Sequence, residues 1–489
     1  MIKGKYCCII ILLKHFAMFG FITEPIGKEI TIMNKTVDNY ILTHKDELVE
    51  SVRESIRFKS VEAEPAGEGA PFGAAVRDAL VHALELGKRF GFETSNLDGY
   101  AGCIDYGEGE EMLGVVAHLD VVPEGEGWNY PPYAAELADG RIYGRGALDD
   151  KGPAISAIYA LAAIKAAGVP MRRRVRIILG TNEETGWGCM NHYREVAEIP
   201  TMSFSPDADY PVVNSEKGIT HLTVKCAAKT NVRINGGTRA NVVCGKVKAF
   251  APIAIDEVEK HVSPLLSKGF EIELTAVSGG TEILIVGLDA HGSMPECGKN
   301  AMQAAFCLLN SLPLEGEDAR TIGILENCFK FDMHGESLGL DCKDDSGRLT
   351  MNPGVICWDE NGFEISVDFR CPISLDMNEV RVKLLGALAD FDPVVTHEKI
   401  QLGHFIPADS ELVSKLLDVY AERTGKREEP LAIGGGTYAR AFPNAVAFGC
   451  EQAGISGPVH MPNEYIGVDE LVFNALMIAD AIIALAAKE

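Results

Sequence analysis

The sequence predicts an α/β protein in which a doubly wound, mostly parallel sheet forms one domain and an α+β domain is inserted into it. Three observations predict this organisation. Apolar runs of strand length alternate with helical patterns between residues 112 and 204, the segment 215–402 is richer in strands, and the first pattern returns after His404. We therefore assign 33–214 and 403–489 to the larger domain and 215–402 to the inserted domain.

The first part of the larger domain alternates between the two element types. A helical pattern spans 46–58. Buried apolar runs then predict strands, and apolar residues at helical spacing predict the helices that follow them. The strands are at 112–117, 175–179 and 202–204. One helix is at 151–167, and a second follows the strand 175–179 and ends at residue 196. Gly168 and Pro170 end the first of these helices. Strands that alternate with helices pair mostly in parallel.

The inserted domain and the last part of the chain complete the prediction. The alternation of apolar and polar residues over 363–369 is typical of a half-buried antiparallel strand. Further strands are predicted at 222–227, 271–274 and 282–286, with helices at 251–265 and 301–312. After the insert we expect a helix over 410–423, a strand over 445–449 and a terminal helix from Val468.

Composition excludes several classes of function. The 489 residues include 45 Lys and Arg against 70 Asp and Glu, a net charge of −25, which argues against nucleic-acid and membrane partners. Thirteen cysteines without a CxxC pair favour a reducing, cytoplasmic location. The apolar run 7–13 is too short for a membrane span and lacks a cleavage site. We expect 1–32 to be an unstructured extension, or a start assigned too early.

Residues that could bind metals or take part in catalysis cluster just after the predicted strands, where open α/β sheets bind ligands. They are His118, Asp120, Asp149, Asp150, Glu183, Glu184, Asp207 and, near the C-terminus, His460. Two imidazoles and several carboxylates suit a metal such as zinc, and a further carboxylate can bridge two ions. No Walker loop, HExxH, GxSxG elbow or GxGxxG after a strand is present.

Each residue also has an ordinary structural alternative. Asp149 or Glu183 would cap the following helix, where acidic residues are favoured. His118 would be a hydrogen-bonded residue at a strand end, and Asp207 would be a turn residue after Pro206. Taken one at a time, these alternatives stay open. The occurrence of the whole set at successive strand ends favours a metal site.

Three segments carry a resemblance to a known family: His118-Leu-Asp120, residues 144–152 (Gly-Arg-Gly-Ala-Leu-Asp-Asp-Lys-Gly) and residues 182–186 (Asn-Glu-Glu-Thr-Gly). They resemble the signature of the dinuclear-zinc family of aminoacylases, carboxypeptidases and dipeptidases, and within it the PepV-type, or Xaa-His, dipeptidases. The resemblance implies two Zn²⁺ per chain, with Mn²⁺ or Co²⁺ as alternatives. The implied ligands are His118, Asp149 as the bridge, Glu184, Asp207 and His460. Glu183 would be the general base and Asp120 would steady His118, and the Asp149–Asp150 peptide is expected to be cis.

The inserted domain resembles the lid of these enzymes. His291 would donate a hydrogen bond to the developing oxyanion, and Asn241 would face the active site. Arg370 would bind the substrate carboxylate, and Gly435 and Gly436 would offer backbone N–H groups nearby. Simpler alternatives remain: Asn241 caps a turn, His291 is a polar strand-end residue, Arg370 pairs with Asp368, and the glycines form a tight turn.

The resemblance implies hydrolysis of dipeptides that have a free N-terminus. Asp at position 207, where acylases of the family usually carry Glu, and an insert as long as the PepV lid both favour a monomeric dipeptidase of broad specificity. Aminoacyl-histidine and β-alanyl dipeptides are among the expected substrates, and a small peptide is the expected partner. The alternatives are an N-acyl amino acid deacylase, such as succinyl-diaminopimelate desuccinylase, and a metal-binding homologue without turnover.

Overall fold

The structure is a computed structural model that describes residues 25–359, 361–452 and 456–488, with side chains from residue 34. The helices are α1 (Pro25–Thr43), α2 (Lys45–Ile56), α3 (Ala74–Arg89), α4 (Lys151–Ala167), α5 (Gly188–Val196), α6 (Ile255–Val258), α7 (Ser263–Ser267), α8 (Ala301–Ser311), α9 (Gly316–Phe329), α10 (Met377–Ala387), α11 (Glu411–Thr424) and α12 (Val468–Ala486). In the part of the chain described, no helix is long and apolar enough to cross a membrane.

The strands are β1 (Glu93–Leu97), β2 (Ala101–Tyr106), β3 (Met112–His118), β4 (Glu136–Ala138), β5 (Arg141–Tyr143), β6 (Arg174–Gly180), β7 (Met202–Ser205), β8 (Ala208–Asp209), β9 (Val213–Glu216), β10 (Gly218–Ala227), β11 (Arg233–Gly236), β12 (Lys246–Ala251), β13 (Glu271–Val277), β14 (Gly280–Val286), β15 (Lys343–Asp344), β16 (Gly347–Arg348), β17 (Thr350–Trp358), β18 (Gly362–Cys371), β19 (Val394–Gln401), β20 (His404–Phe405), β21 (Leu431–Ile433), β22 (Ala445–Ala447), β23 (Cys450–Glu451) and β24 (Tyr465–Gly467).

The chain forms two compact units, one of residues up to Thr201 together with those from Ala453, the other of Met202–Gln452. In the first unit β3 and β6 pair in parallel, and β2 and β1 continue from β6 with antiparallel pairing. A small antiparallel sheet of β24, β5 and β4 belongs to the same unit. The predicted α/β class is confirmed.

Helix α4 is the central helix of the first unit. It begins directly after Asp150, ends at Gly168 in the left-handed conformation, and is buried from Lys151 to Ile164. Its alanines allow close approach, and α1, α2 and α12 pack against it. A helix covered on all sides gives the loop that precedes it a firm support.

The second unit contains an eight-stranded antiparallel sheet in the order β13-β14-β12-β11-β17-β18-β10-β19. Its core includes residues of α8, α9 and α10. All eight strands lie within 215–402, the range predicted for the inserted domain, whose exact boundaries stay a prediction. The second unit also holds β7, β22 and β9, with β7 and β22 paired in parallel and β22 and β9 antiparallel.

Two parts of the prediction differ from the structure. The single continuous helix predicted over 251–265 is wrong: β12 runs to Ala251, and two short helices, α6 and α7, follow with a 3₁₀ helix, Glu259–His261, between them. Residues 246–251 alternate between exposed and buried positions, as a strand requires, and Pro252 and Pro264 interrupt a longer helix. At the N-terminus, α1 begins at Pro25, inside the range 1–32 that was predicted to be unstructured, whereas 1–24 lie outside the described residues.

Candidate metal centre

Two neighbouring strand ends create the framework of the site. β3 and β6 pair in parallel with His118 opposite Gly180, and Leu119 N–H donates to Gly180 O at 3.0 Å. Both chains therefore leave the sheet at the same edge. Residues just after β3 meet residues just after β6, as expected for the carboxyl ends of parallel strands.

Asp120 uses this proximity to hold the segment after β6. Its Oδ1 accepts the backbone N–H of Glu183 at 3.0 Å, and its Oδ2 accepts that of Glu184 at 3.1 Å. The carboxylate is buried, and burial is the main reason that its pKa is raised from the ordinary value, although these hydrogen bonds and His118 act in the opposite direction. Asp120 therefore fixes the backbone of two acidic residues predicted to belong to the site.

His118 is fully buried and has a defined ring orientation. Its Nδ1 lies 2.9 Å from the backbone oxygen of Asp120, which makes Nδ1 the protonated donor. The opposite ring nitrogen, Nε2, lies 3.0 Å from Asp149 Oδ1. A histidine whose far nitrogen donates to a carbonyl presents its other nitrogen to a metal, the usual arrangement for metal-binding histidines.

Asp149 directs its two carboxylate oxygens at two different imidazoles. Oδ1 lies 3.0 Å from His118 Nε2, and Oδ2 lies 2.8 Å from His460 Nε2. His460 Nε2 is also 3.1 Å from Glu184 Oε1. Ligand atoms of His118, Asp149 and Glu184 lie within 4.8 Å of one another. These three residues form a group that could hold a metal ion, and Asp149 presents one carboxylate oxygen to each imidazole.

The carboxylates and imidazoles strongly influence one another. Burial alone would raise the pKa of Asp149, but hydrogen bonds from both histidines hold it below its usual range. Burial and the nearby Asp149 charge raise the pKa of Glu184 to about 7. Burial opposes protonation of His460, yet hydrogen bonds to Asp149 and Glu184 raise its pKa to about 11. The nitrogen and oxygen donors of this cluster suit divalent ions.

Neither Asp149 nor Glu183 caps a helix. The residue before α4 is Asp150, whose Oδ2 accepts the N–H of His118 at 2.9 Å rather than capping the helix, and the residue before α5 is Trp187. The helix-capping alternative for these two residues is therefore wrong. The Asp149–Asp150 peptide bond is cis, as expected from the resemblance.

One part of the site was missed at the sequence level. The carboxylate of Glu464 is completely buried and accepts backbone N–H groups from Leu148 and Asp149, while Arg145 Nη1 donates to it at 2.5 Å. Arg145 stands inside the 144–152 motif and Glu464 follows His460 by four residues, but the sequence analysis gave neither of them a role. A buried acid–base pair between distant segments has no signature in local sequence.

The predicted lid residues Asn241 and His291 lie side by side in the second unit. Val242 and His291 form a β-bridge, and Gly292 N–H donates to Asn241 O at 2.7 Å. The backbone N–H of Ser293 donates to His291 Nδ1 at 3.2 Å, so Nδ1 is an acceptor. The neutral ring then carries its proton on Nε2, as a hydrogen-bond donor requires.

Arg370 joins the same cluster. Its Nε lies 3.1 Å from both carboxylate oxygens of buried Asp368, the pairing left open as an alternative, and its Nη1 donates to Gly434 O at 2.8 Å. A Cβ on Gly434 would lie 2.8 Å from Ser293 Cβ, so glycine allows this close approach. The second unit thus brings Arg370, His291 and Asn241 together.

The loop that contains Gly435 and Gly436 is held by a second buried ion pair that the sequence analysis also missed. Arg440 donates to Glu216, and its Nη2 donates to Gly435 O at 2.8 Å. Thr437 N–H donates to Glu216 Oε1 at 3.1 Å, directly after Gly436.

Asp207 belongs to the second unit as well, where it follows β7 at a bend and is half-buried. This position is compatible with both alternatives considered for Asp207, a turn residue or a metal ligand.

Comparison with known proteins gives a consistent picture. The profile of peptidase family M20/M25/M40 matches residues 114–484. A putative dipeptidase, YtjP of Bacillus subtilis, is 37% identical over 91% of this chain and 98% of its own, and the Beta-Ala-Xaa dipeptidase of Lactobacillus delbrueckii subsp. lactis is 32% identical over 91% and 97%. Among solved structures, human carnosine dipeptidase 1 has the same fold, with a TM-score of 0.57 at 17% identity over 93% of this chain and 98% of that one.

Proposed function

The chain belongs to peptidase family M20/M25/M40 and is a metal-dependent hydrolase, and on this premise we propose that it cleaves dipeptides that carry a free N-terminus. The observation that carries the proposal is the position of Asp149, with one carboxylate oxygen next to each of two imidazoles. Such a carboxylate suits a site for two ions. The dipeptidase names of relatives at 37% and 32% identity support the substrate class.

We propose that the site takes two Zn²⁺, with Mn²⁺ or Co²⁺ as alternatives. The donors of one position would include His118 and those of the other His460 and Glu184, with Asp149 between them and Asp207 as the remaining ligand. Ions held there would polarise the scissile carbonyl and lower the pKa of a water molecule. The mixed imidazole and carboxylate donors support these metals, which share such ligands.

Glu183 is the proposed general base. It neighbours Glu184, and Asp120 fixes the backbone of both. Fixed in this way, the Glu183 carboxylate can take a proton from water and deliver it to the leaving amine. Asp120 itself is proposed to orient His118 and these two acids, without touching the substrate.

The cluster in the second unit is proposed to recognise the substrate. His291, with Nδ1 occupied as an acceptor, would donate from Nε2 to the carbonyl oxygen as negative charge develops there. Arg370 uses Nε for Asp368 and would offer its guanidinium edge to the substrate carboxylate. Asn241 and the backbone of Gly435 and Gly436 would complete the contacts. We propose that 215–402 forms the lid domain that carries most of these residues.

The proposed substrate range is broad and includes β-alanyl and aminoacyl-histidine dipeptides. Support for β-alanyl substrates comes from the Lactobacillus relative, whose name is Beta-Ala-Xaa dipeptidase. The names of the relatives give no support to a deacylase. We further propose that the chain acts as a monomer in the cytoplasm, since the cysteines among the described residues are free thiols.

The test is a substrate panel with metal-stripped protein that is resupplied with zinc or manganese. Amine release is measured from free dipeptides, N-acetyl and N-succinyl amino acids, and a tripeptide, with Glu183→Ala as the blank and Glu195→Ala, an exposed acid on α5, as the matched control. We expect metal-dependent cleavage of dipeptides in wild type and control and its loss in Glu183→Ala. Preferred cleavage of acylated substrates would overturn the proposal.

A further inference from the structure

We propose that Glu464 is a positioning residue that joins the loop carrying Asp149 to the loop carrying His460, and so sets the separation of the donors on the two sides of the metal centre. The proposal rests on the proposed function, because it concerns the same metal site. Glu464 is not a ligand in this assignment. It acts through the backbone of the residues that are.

The first support is a set of backbone contacts. Glu464 Oε1 accepts the N–H groups of Leu148 at 3.0 Å and of Asp149 at 3.3 Å. The backbone oxygen of Glu464 accepts the N–H of Gly144 at 3.0 Å. One residue thus binds the 144–149 loop near both of its ends. A displacement of Glu464 would therefore also displace the Asp149 backbone.

The second support is the charge balance. Glu464 is 0% exposed and Arg145 is 1% exposed, and the two form an ion pair at 2.5 Å. Arg145 also lies over the Trp128 ring, with its guanidinium carbon 5.4 Å from the ring centre. A buried ion pair adds little net stability when compared with apolar groups, because both charges lose water. Its evident benefit here is a fixed geometry.

The third support is the position of Glu464 in its own segment. His460 precedes it by one short loop, and the next residues form β24, which pairs with β5 just before Gly144. Asn463 Oδ1 also accepts Asn129 N–H at 2.7 Å. The two ligand loops are therefore fixed to each other through neutral and ionic contacts that involve no ligand atom. The contacts of Glu464 with both loops thus fix the 2.8 Å separation between Asp149 Oδ2 and His460 Nε2.

The experiment compares Glu464→Gln, Glu464→Asp and Glu464→Ala with Glu470→Gln as the matched control. Glu470 is also buried in the C-terminal segment, and its Oε2 accepts the N–H of Gly467 at 3.1 Å. Zinc affinity is measured by competition with a chelator, the absorption spectrum is recorded after loading with Co²⁺, and thermal midpoints are taken without metal.

We expect zinc affinity to fall about 10- to 100-fold in Glu464→Gln, as is typical for residues that orient ligands. The cobalt spectrum should change, and kcat should fall more than KM rises. Glu464→Asp, which keeps the charge but shortens its reach, should recover part of the affinity. Glu470→Gln should lower the thermal midpoint without altering zinc affinity or spectrum.

Wild-type zinc affinity and spectrum in Glu464→Gln would overturn the proposal, even with a lower thermal midpoint, because Glu464 would then only stabilise the fold. If Glu464→Ala does not fold, Glu464→Gln and Glu464→Asp decide the outcome. A wild-type protein that binds two ions but cleaves no dipeptide would refute the proposed function alone, because the affinity measurements need no substrate.

Discussion

His460 Nε2 lies 2.8 Å from Asp149 Oδ2, and this contact joins the C-terminal segment to the loop before the central helix of the first unit. The other oxygen of the same carboxylate faces His118. Asp149 therefore contacts both imidazoles, and the first prediction concerns it.

Replacing Asp149 with asparagine should weaken metal binding at both positions. The amide keeps the shape of the side chain but removes the negative charge and one acceptor oxygen, so it cannot bridge two cations. We expect the zinc content after gel filtration to fall from two ions per chain to one or fewer, measured by atomic emission. Asp139→Asn, at an exposed turn, is the control. Two retained ions in Asp149→Asn would contradict the bridging assignment.

Replacing Asp120 should affect the site without removing a ligand. Asp120→Ala leaves the N–H groups of Glu183 and Glu184 without their acceptors, so both acids lose their fixed positions. Zinc affinity and kcat are each expected to fall about 10- to 100-fold. Asp120→Asn, which keeps one acceptor oxygen, should lie between Asp120→Ala and wild type in a chelator competition. Equal affinity in all three proteins would count against the role of Asp120.

Replacing Arg370 with lysine should act on KM. Lysine keeps the charge but loses the planar, forked donors that match a carboxylate. We expect KM for a dipeptide to rise about 10- to 100-fold, the loss of one or two charge-assisted hydrogen bonds, with kcat less affected. For the same dipeptide with a C-terminal amide, wild type and Arg370→Lys should be similar. Arg381→Lys, in an exposed ion pair, is the control. A larger effect on the amide would refute carboxylate recognition.

A pH-dependent prediction concerns Asp332 in the second unit, away from the predicted site residues in sequence. Burial would raise its pKa, but the hydrogen bonds from Ser337 and from the backbone N–H of His334 hold the pKa below its ordinary value. A carboxylate with a lowered folded pKa stabilises the protein above its unfolded pKa of about 3.9, and this stability is lost as the pH falls through the folded value.

Asp332→Asn should therefore lower the unfolding free energy by about 1 to 3 kcal/mol at pH 7. The difference from wild type should shrink as the pH falls from the unfolded pKa of about 3.9 through the lowered folded value, because the wild-type carboxylate then becomes protonated. Urea denaturation at several pH values measures this difference in unfolding free energy, with Asp345→Asn, at an exposed position, as the control. A difference that is independent of pH would mean that the hydrogen bonds do not depend on the charge of Asp332.

Local signals in the sequence predicted helix α4 and strands β3 and β6 of the first unit, whereas α3, β1 and β2 were not predicted. Helix α4 begins and ends where predicted, because Asp150 stands before it and Gly168 takes the left-handed conformation that ends a helix. The residues after β3 and β6 could be recognised because parallel strands bring their ends together. The single helix predicted over 251–265 was wrong because Ala251 belongs to β12, which pairs with β14, and because Pro264 interrupts a longer helix.

The ion pair of Arg145 and Glu464 was outside the reach of such reasoning. Each residue alone has the pattern of an ordinary polar residue in a loop, and only the folded chain brings them to 2.5 Å. The same is true of Arg440 and Glu216. Local patterns predicted which polar residues follow the strand ends, whereas these two ion pairs join residues that are remote in sequence.

The position of His460 also has a consequence for protein synthesis. Domains usually fold as the chain emerges from the ribosome, from the N-terminus onward. Here His118, Asp149 and Glu184 emerge early, whereas His460, Glu464 and helix α12 emerge after the entire second unit. A nascent chain that stops before His460 lacks one imidazole and the anchor of the Asp149 loop. With His460 as a proposed ligand, complete metal uptake would follow translation of both units.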